Sequence, residues 1–247
     1  MIIVTININK IEAIIFDMDG VIFDTEKVYL NIWTKVFENY GYKMRKDIYC
    51  SVLGTGRENV KKVFLSNFGE NLPINYMYIE KDEELKRAVD NGIPLKNGAY
   101  EILLYLKKNN YKIALATSAI QERALKQLSN ANIKEFFDAI VCRDEVKETK
   151  PNPEIFLKAA EKLGVSPDKC IVIEDSGAGI KAAYDAGMIA IHVIDLKEPD
   201  EEILNNCYKS FNDLNEIKDM LINIEQYTYF YFKLILLMFF ENTIYII

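Results

Sequence analysis

The sequence predicts an α/β fold: a parallel sheet buried on both faces, with a helical insertion after its first strand. Three observations predict it. Short apolar runs recur along the chain, helical stretches separate them, and one long interval near the start holds helical patterns without a strand. Short strands that are apolar throughout suit a sheet covered on both faces. Alternation of strand and helix favours parallel pairing with right-handed crossovers.

The first strand is placed at residues 11–17, "IEAIIFD", where the apolar run stops at Asp17. Asp19 and Gly20 follow, a second acid and then a residue that lets the chain swing away. Residues 24–93 break the alternation. "KVYLNIWTKVFENYGY" carries an amphipathic helical pattern stopped by Gly41, and "RENVKKVFLSNFG" and "MYIEKDEELKRAVDNG" supply two more helices. Such a piece is expected over the carboxyl ends of the strands, where open α/β sheets place their ligands.

After "GIPLKNG" the alternation resumes, with strands at 111–117, 139–142, 170–174 and 189–194. Helices are placed at 99–109, 121–131, 153–163 and 178–186. Pro153 suits a helix start, and Gly164 and Gly187 suit helix ends. The expected organisation is an α/β core of residues 1–23 and 94–226, a helical cap of 24–93 and an apolar extension of 227–247.

Composition limits the function. The chain has 247 residues, 50% of them apolar, enough for a large core. A net charge of −7 argues against nucleic-acid binding and means that an anionic substrate needs a local cation. Four cysteines without a CxxC pair, and His192 as the one histidine, argue against zinc and for free thiols in a reducing cytoplasm. The start, "MIIVTININK", lacks the basic region of a signal peptide. The end, "YTYFYFKLILLMFFENTIYII", is nearly as long as a membrane span but carries Lys233 and Glu241. It reads as a packed extension ahead of a membrane anchor. Monomer and homodimer both stay open.

Four groups recur at the ends of the expected strands: Asp17 with Asp19, Thr117 with Ser118, Lys150, and Glu174 with Asp175. Parallel strands bring their carboxyl ends to one edge, so these groups converge. Carboxylates crowded together repel, and a divalent cation relieves them. Oxygen ligands without histidine or cysteine select magnesium. Lysine and hydroxyls at a turn into a helix suit phosphate oxygens. The set points to magnesium-assisted phosphoryl transfer. On a near-extended chain, residues two apart share one side. One acid can then attack phosphorus while the other moves protons.

These elements resemble the haloacid dehalogenase superfamily over residues 11–224. "DMDGV" fits its first motif, "LATS" its hydroxyl motif, "KPNPEIF" its lysine motif and "IEDSGAGIKAAYDAGM" its terminal acidic motif. The chain is most similar to the β-phosphoglucomutase and phosphatase group, which carries a helical cap after the first motif. The resemblance implies a Rossmann-like core and phosphate-monoester hydrolysis, on sugar or nucleoside phosphates. By position it makes Asp17 the nucleophile and Asp19 the general acid and base. It gives Mg2+ the Asp17 carboxylate, the Asp19 carbonyl and Asp175, with Glu174 nearby, and gives the phosphoryl group Thr117 and Lys150. Substrate contacts are expected at Arg57 in "GTGREN", with Tyr29 and Glu26 behind it. One departure stands out: β-phosphoglucomutases carry a histidine where this chain has Tyr29. That favours a phosphatase over a mutase, while Asp19 argues against a dehalogenase.

Plainer readings exist for each residue. "DxDG" alone can be a strand-to-turn signal, Lys150 an exposed loop lysine, and Glu174 with Asp175 an acidic pair at a helix N-terminus. A phospho-acceptor module also groups acids, a hydroxyl and a lysine on a parallel sheet. Its acids lie on the first and third strands, whereas here they follow the first and fourth. Trp33 and His192 read as packing residues.

Overall fold

The computed structural model describes residues 11–53, 55–224 and 226. The leader reading of residues 1–10 and the apolar extension of 227–247 lie outside the described residues. Strand β1 (Ala13–Phe16) leads into four helices: α1 (Thr25–Asn39), α2 (Lys46–Cys50), α3 (Arg57–Phe68) and α4 (Ile74–Asn91). Then come α5 (Ala99–Lys108), β2 (Lys112–Ala116), α6 (Gln121–Asn130), β3 (Ala139–Val141) and α7 (Glu154–Leu163). The chain continues through β4 (Cys170–Glu174), α8 (Gly177–Asp185), β5 (Ile189–Val193), α9 (Glu201–Asn206) and β6 (Lys209–Phe211). Further helical turns occupy 214–224.

The six strands form one parallel sheet in the order β3-β2-β1-β4-β5-β6. Successive strands run outward from β1 through β2 to β3, and the chain then returns to place β4 on the other side of β1. This reversal opens a crevice at the carboxyl ends of β1 and β4. Side chains alternate across the sheet. Ile14 and Phe16 pack with α5, α6 and the helix of 214–224 on one face. Ala13 and Ile15 pack with α7 and α8 on the other. All four residues of β1 are buried, which is why the strand reads as a continuous apolar run.

Helices α1–α4 have a core of their own. Trp33, Phe37, Phe64, Met77 and Tyr78 are buried together, and Phe37 meets Trp33 and Phe64 edge to face. The two chain segments joining this insertion to the sheet run side by side. Phe23 bridges to Leu95 in antiparallel fashion, and the Asp24 N–H donates to the Pro94 carbonyl at 2.9 Å. Among the described residues, no helix is long and apolar enough to cross a membrane.

The expected strands and helices match the observed ones to within a few residues. Four elements were not expected: the helical turns of 214–224 and three short pieces. β6 is three residues at a sheet edge with no apolar run, while α2 and α9 are about one turn and a half. Such pieces are too short to show a period.

Replacing Ile15 with Ala empties a site between the sheet and α7. The loss of unfolding free energy expected in a urea titration is about 2–5 kcal/mol.

Candidate active site

Sheet register builds the site. Phe16 pairs with Ile173, so the next residues, Asp17 and Glu174, lie side by side, and the Asp17 N–H donates to the Ile173 carbonyl at 3.0 Å. Lys150 reaches in from the loop before α7. Its ammonium pairs with Asp17 Oδ1, with Glu174 Oε1 at 2.7 Å and with the Ala116 carbonyl at 3.3 Å. Its side chain is 7% exposed, so this lysine is no surface loop residue.

One ammonium faces three carboxylates. Ligand oxygens of Asp17, Glu174 and Asp175 lie within 4.8 Å of one another. Burial pushes the Asp17 carboxyl up to about 7, against the pull of Lys150 and with the push of Glu174. Asp175 is raised well above the usual range by burial, then by Glu174 and Asp17. Burial would raise Glu174 too, but Lys150 and two bonds from Ser176 hold it below its ordinary value. Those bonds are 2.7 Å from the Ser176 N–H and 3.0 Å from its hydroxyl. Lys150 pairs with two of the three, Asp17 and Glu174, and a crowded donor set made of oxygens alone fits a hard divalent cation.

Backbone geometry makes room for these acids. Gly20 has a φ of +77°, and a Cβ there would overlap the Asp175 carboxylate. Its N–H donates to the buried Thr25 hydroxyl at 3.0 Å, which fixes the turn after Asp19. At Gly179 a Cβ would overlap the Glu174 carboxylate. Ser176 caps α8 by accepting from the Gly179 N–H at 3.1 Å, so one residue orders both the helix and Glu174.

Asp17, Asp19, Ser118, Lys150, Glu174 and Asp175 line one cleft of about 300 Å³. Ser118 is exposed there. Thr117 is fully buried, and its hydroxyl accepts from the Ala119 N–H at 3.0 Å, inside its own loop. Glu26 and Leu53 of the insertion line the same cleft and also a second space of about 270 Å³ within the insertion. Arg57 lies on that second space, apart from the acids. It pairs with Asp82 at 3.4 Å and sits 4.0 Å over the Tyr78 ring. Glu26 accepts from the Tyr49 hydroxyl at 2.8 Å, and burial pushes its carboxyl up to about 7. Tyr29 meets Arg123 at 3.3 Å, and burial pushes its phenol up to about 12.

The haloacid dehalogenase-like hydrolase model matches residues 14–193, which span every residue of this cleft except six contributed by the loop after β5 and by α9. The chain belongs to the haloacid dehalogenase-like hydrolases. Among its relatives in this family is a phosphorylated carbohydrates phosphatase of Thermotoga maritima, 35% identical over 181 residues, covering 73% of this chain and 84% of that protein. The β-phosphoglucomutase of Bacillus subtilis is 36% identical over 191 residues, covering 74% and 83%. The crystal structure of a β-phosphoglucomutase from Clostridium difficile superposes with a TM-score of 0.66 at 30% identity, covering 89% of this chain and 99% of that one.

Within this haloacid dehalogenase-like frame, some contributors were invisible in the sequence. Arg123 grips Asp19 from the first turn of α6. Asp195 lines the cleft and pairs with Lys96. His192, expected as a packing residue, is buried and also positioned. Its Nε2–H donates to the Asp175 carbonyl at 3.0 Å, which leaves Nδ1 to accept from the Ser210 hydroxyl at 2.6 Å. Burial lowers its pKa, so the ring is kept neutral.

Gly179→Ala is expected to push the Glu174 carboxylate off Lys150. Overpacking of this kind costs about 1–3 kcal/mol, read as a lower urea midpoint, and the cleft should lose its grip on divalent cations in a calorimetric titration.

Proposed function

We propose that the chain is a magnesium-dependent phosphatase of small phosphorylated metabolites, sugar or nucleoside phosphates, acting through a phosphorylated Asp17. Phosphatase activity as such follows from its family and from its phosphatase relatives. The observation that carries the finer reading is the buried Lys150 bridge between Asp17 and Glu174, with Asp19 opening on the same cleft.

Asp17 supplies the nucleophile. Its carboxylate oxygen bonds to phosphorus as the ester bond breaks, and Asp19 gives its proton to the departing oxygen. Asp19, now a carboxylate, takes a proton from a water whose oxygen attacks the same phosphorus. Phosphate leaves, Asp17 is restored as a carboxylate and Asp19 carries the proton again. Lys150 and the hydroxyl-bearing loop of Thr117 and Ser118 would stabilise the phosphoryl oxygens as they collect negative charge, Lys150 and Ser118 from the cleft wall and Thr117 from within the loop. The Asp17 carboxylate, the Asp19 carbonyl and Asp175 would hold magnesium, with Glu174 beside them. When bound, the ion offsets the repulsion of these acids and the charge of the transferring group.

We assign residues 24–93 as a cap over the cleft. Glu26 and Leu53 on the cleft wall and the separate core of α1–α4 support this reading. A cap that shuts over the substrate excludes bulk water, and its opening admits water and releases product. Arg57, Tyr29 and Glu26 are the proposed contacts to the leaving group. Four unpaired cysteines agree with work in the cytoplasm.

Phosphatase is favoured over phosphomutase because Tyr29 replaces the histidine of the mutases that the chain resembles. The expected result is magnesium-dependent phosphate release from a panel of sugar and nucleoside phosphates, abolished by EDTA. Asp17→Asn should lower turnover by a factor on the order of 10⁴. Interconversion of sugar 1- and 6-phosphates faster than phosphate release would assign a mutase instead, and full turnover by Asp17→Asn would sink the mechanism.

A further inference from the structure

We infer that Arg123 is the positioning residue of Asp19, and that Tyr29 ties this pair to the helical insertion. Arg123 is the third residue of α6, with a side chain 23% exposed. Its guanidinium forks onto the carboxylate: Nη2 pairs with Oδ2, and Nη1 reaches Oδ1 at 3.3 Å. The same Nη1 donates to the Tyr29 phenol oxygen at 3.3 Å. Three separate pieces thus meet at one guanidinium: the loop after β1, helix α6 and helix α1.

A fork fixes more than a charge. It sets the side-chain rotamer and also the plane of the carboxylate, which a lysine cannot do. The fork occupies one lone pair on each oxygen and leaves the others for a proton. Asp19 lines the cleft, whereas Arg123 does not. The fork thus gives the guanidinium a route to a substrate through Asp19. An acid that must meet the departing oxygen within a fraction of an ångström gains from such a clamp. Tyr29 makes the clamp depend on where α1 lies, so acid placement is linked to the position of the insertion.

This inference rests on Asp19 being the acid and base of the proposed reaction. Its test compares two substrates by kcat/KM, which covers the steps through departure of the first leaving group. p-Nitrophenolate leaves without a proton, and the alkoxide of a sugar phosphate does not. Arg123→Met should lower kcat/KM about 10²-fold for the sugar phosphate and less than about threefold for p-nitrophenyl phosphate. Arg123→Lys should fall between, and Tyr29→Phe should cost less on the sugar phosphate in an Arg123→Met background than in the wild type. In an Asp19→Asn background, Arg123→Met should cost nothing further.

Equal losses on both substrates would mark Arg123 as structural. A further loss in the Asp19→Asn background would mean that it touches the substrate. Either result overturns the inference. If Arg123→Met does not fold, the same comparisons with Arg123→Lys decide the matter. The wild type and Asp17→Asn serve as the separate control. No magnesium-dependent turnover by the wild type would overturn the phosphatase reading and this inference together, whereas normal turnover with the wrong Arg123 pattern would overturn this inference alone.

Discussion

A buried ammonium shared between Asp17 and Glu174 is the interaction on which the rest of the structure depends. Three ionisable groups sit out of water at the end of two strands, and such groups are tolerated when each keeps its partners. Removing one partner from a buried ion pair costs about 3–5 kcal/mol. The surroundings therefore have to hold Lys150, Asp17 and Glu174 still. The parallel register does this on one side, through the Asp17 N–H bond to Ile173. The Ser176 cap does it on the other, because the residue that starts α8 also binds Glu174. Gly20 and Gly179 are then required by space, since any side chain would displace an acid.

The same constraint separates two kinds of residue. Groups that gather charge sit on the sheet, where β1 and β4 are buried throughout. Groups that would recognise the rest of a substrate sit on the insertion, which packs around Trp33, Phe37 and Phe64. The two sets thus rest on different cores, and Glu26 stands on the boundary between their two spaces.

Much of this was legible in the chain. β1, β2, β4 and β5 show as apolar runs because both faces of the sheet are covered. Asp17, Lys150, Glu174 and Asp175 could be picked out because each follows or closes such a run, or precedes a helix that proline starts. β6 was hidden because "KSF" at an edge buries little but Phe211. Arg123 was hidden for a different reason. Nothing in "AIQERALK" separates a solvated helical arginine from one whose partner lies 104 positions earlier. The spread of the hydroxyl loop was also beyond reach: spacing puts Thr117 and Ser118 together, yet one is buried and the other exposed. Pairings set by tertiary approach leave no period to read.

The antiparallel contact between Phe23 and Leu95 has an architectural consequence. The chain leaves the sheet and returns to it at neighbouring points, so the strands on either side need not know how long the excursion is. A segment whose two ends are already joined is an exchangeable cassette. Lengthening it, shortening it or replacing it leaves the register of β1 against β4 unchanged. A chemical floor set by β1 and β4 can in this way carry roofs of different size.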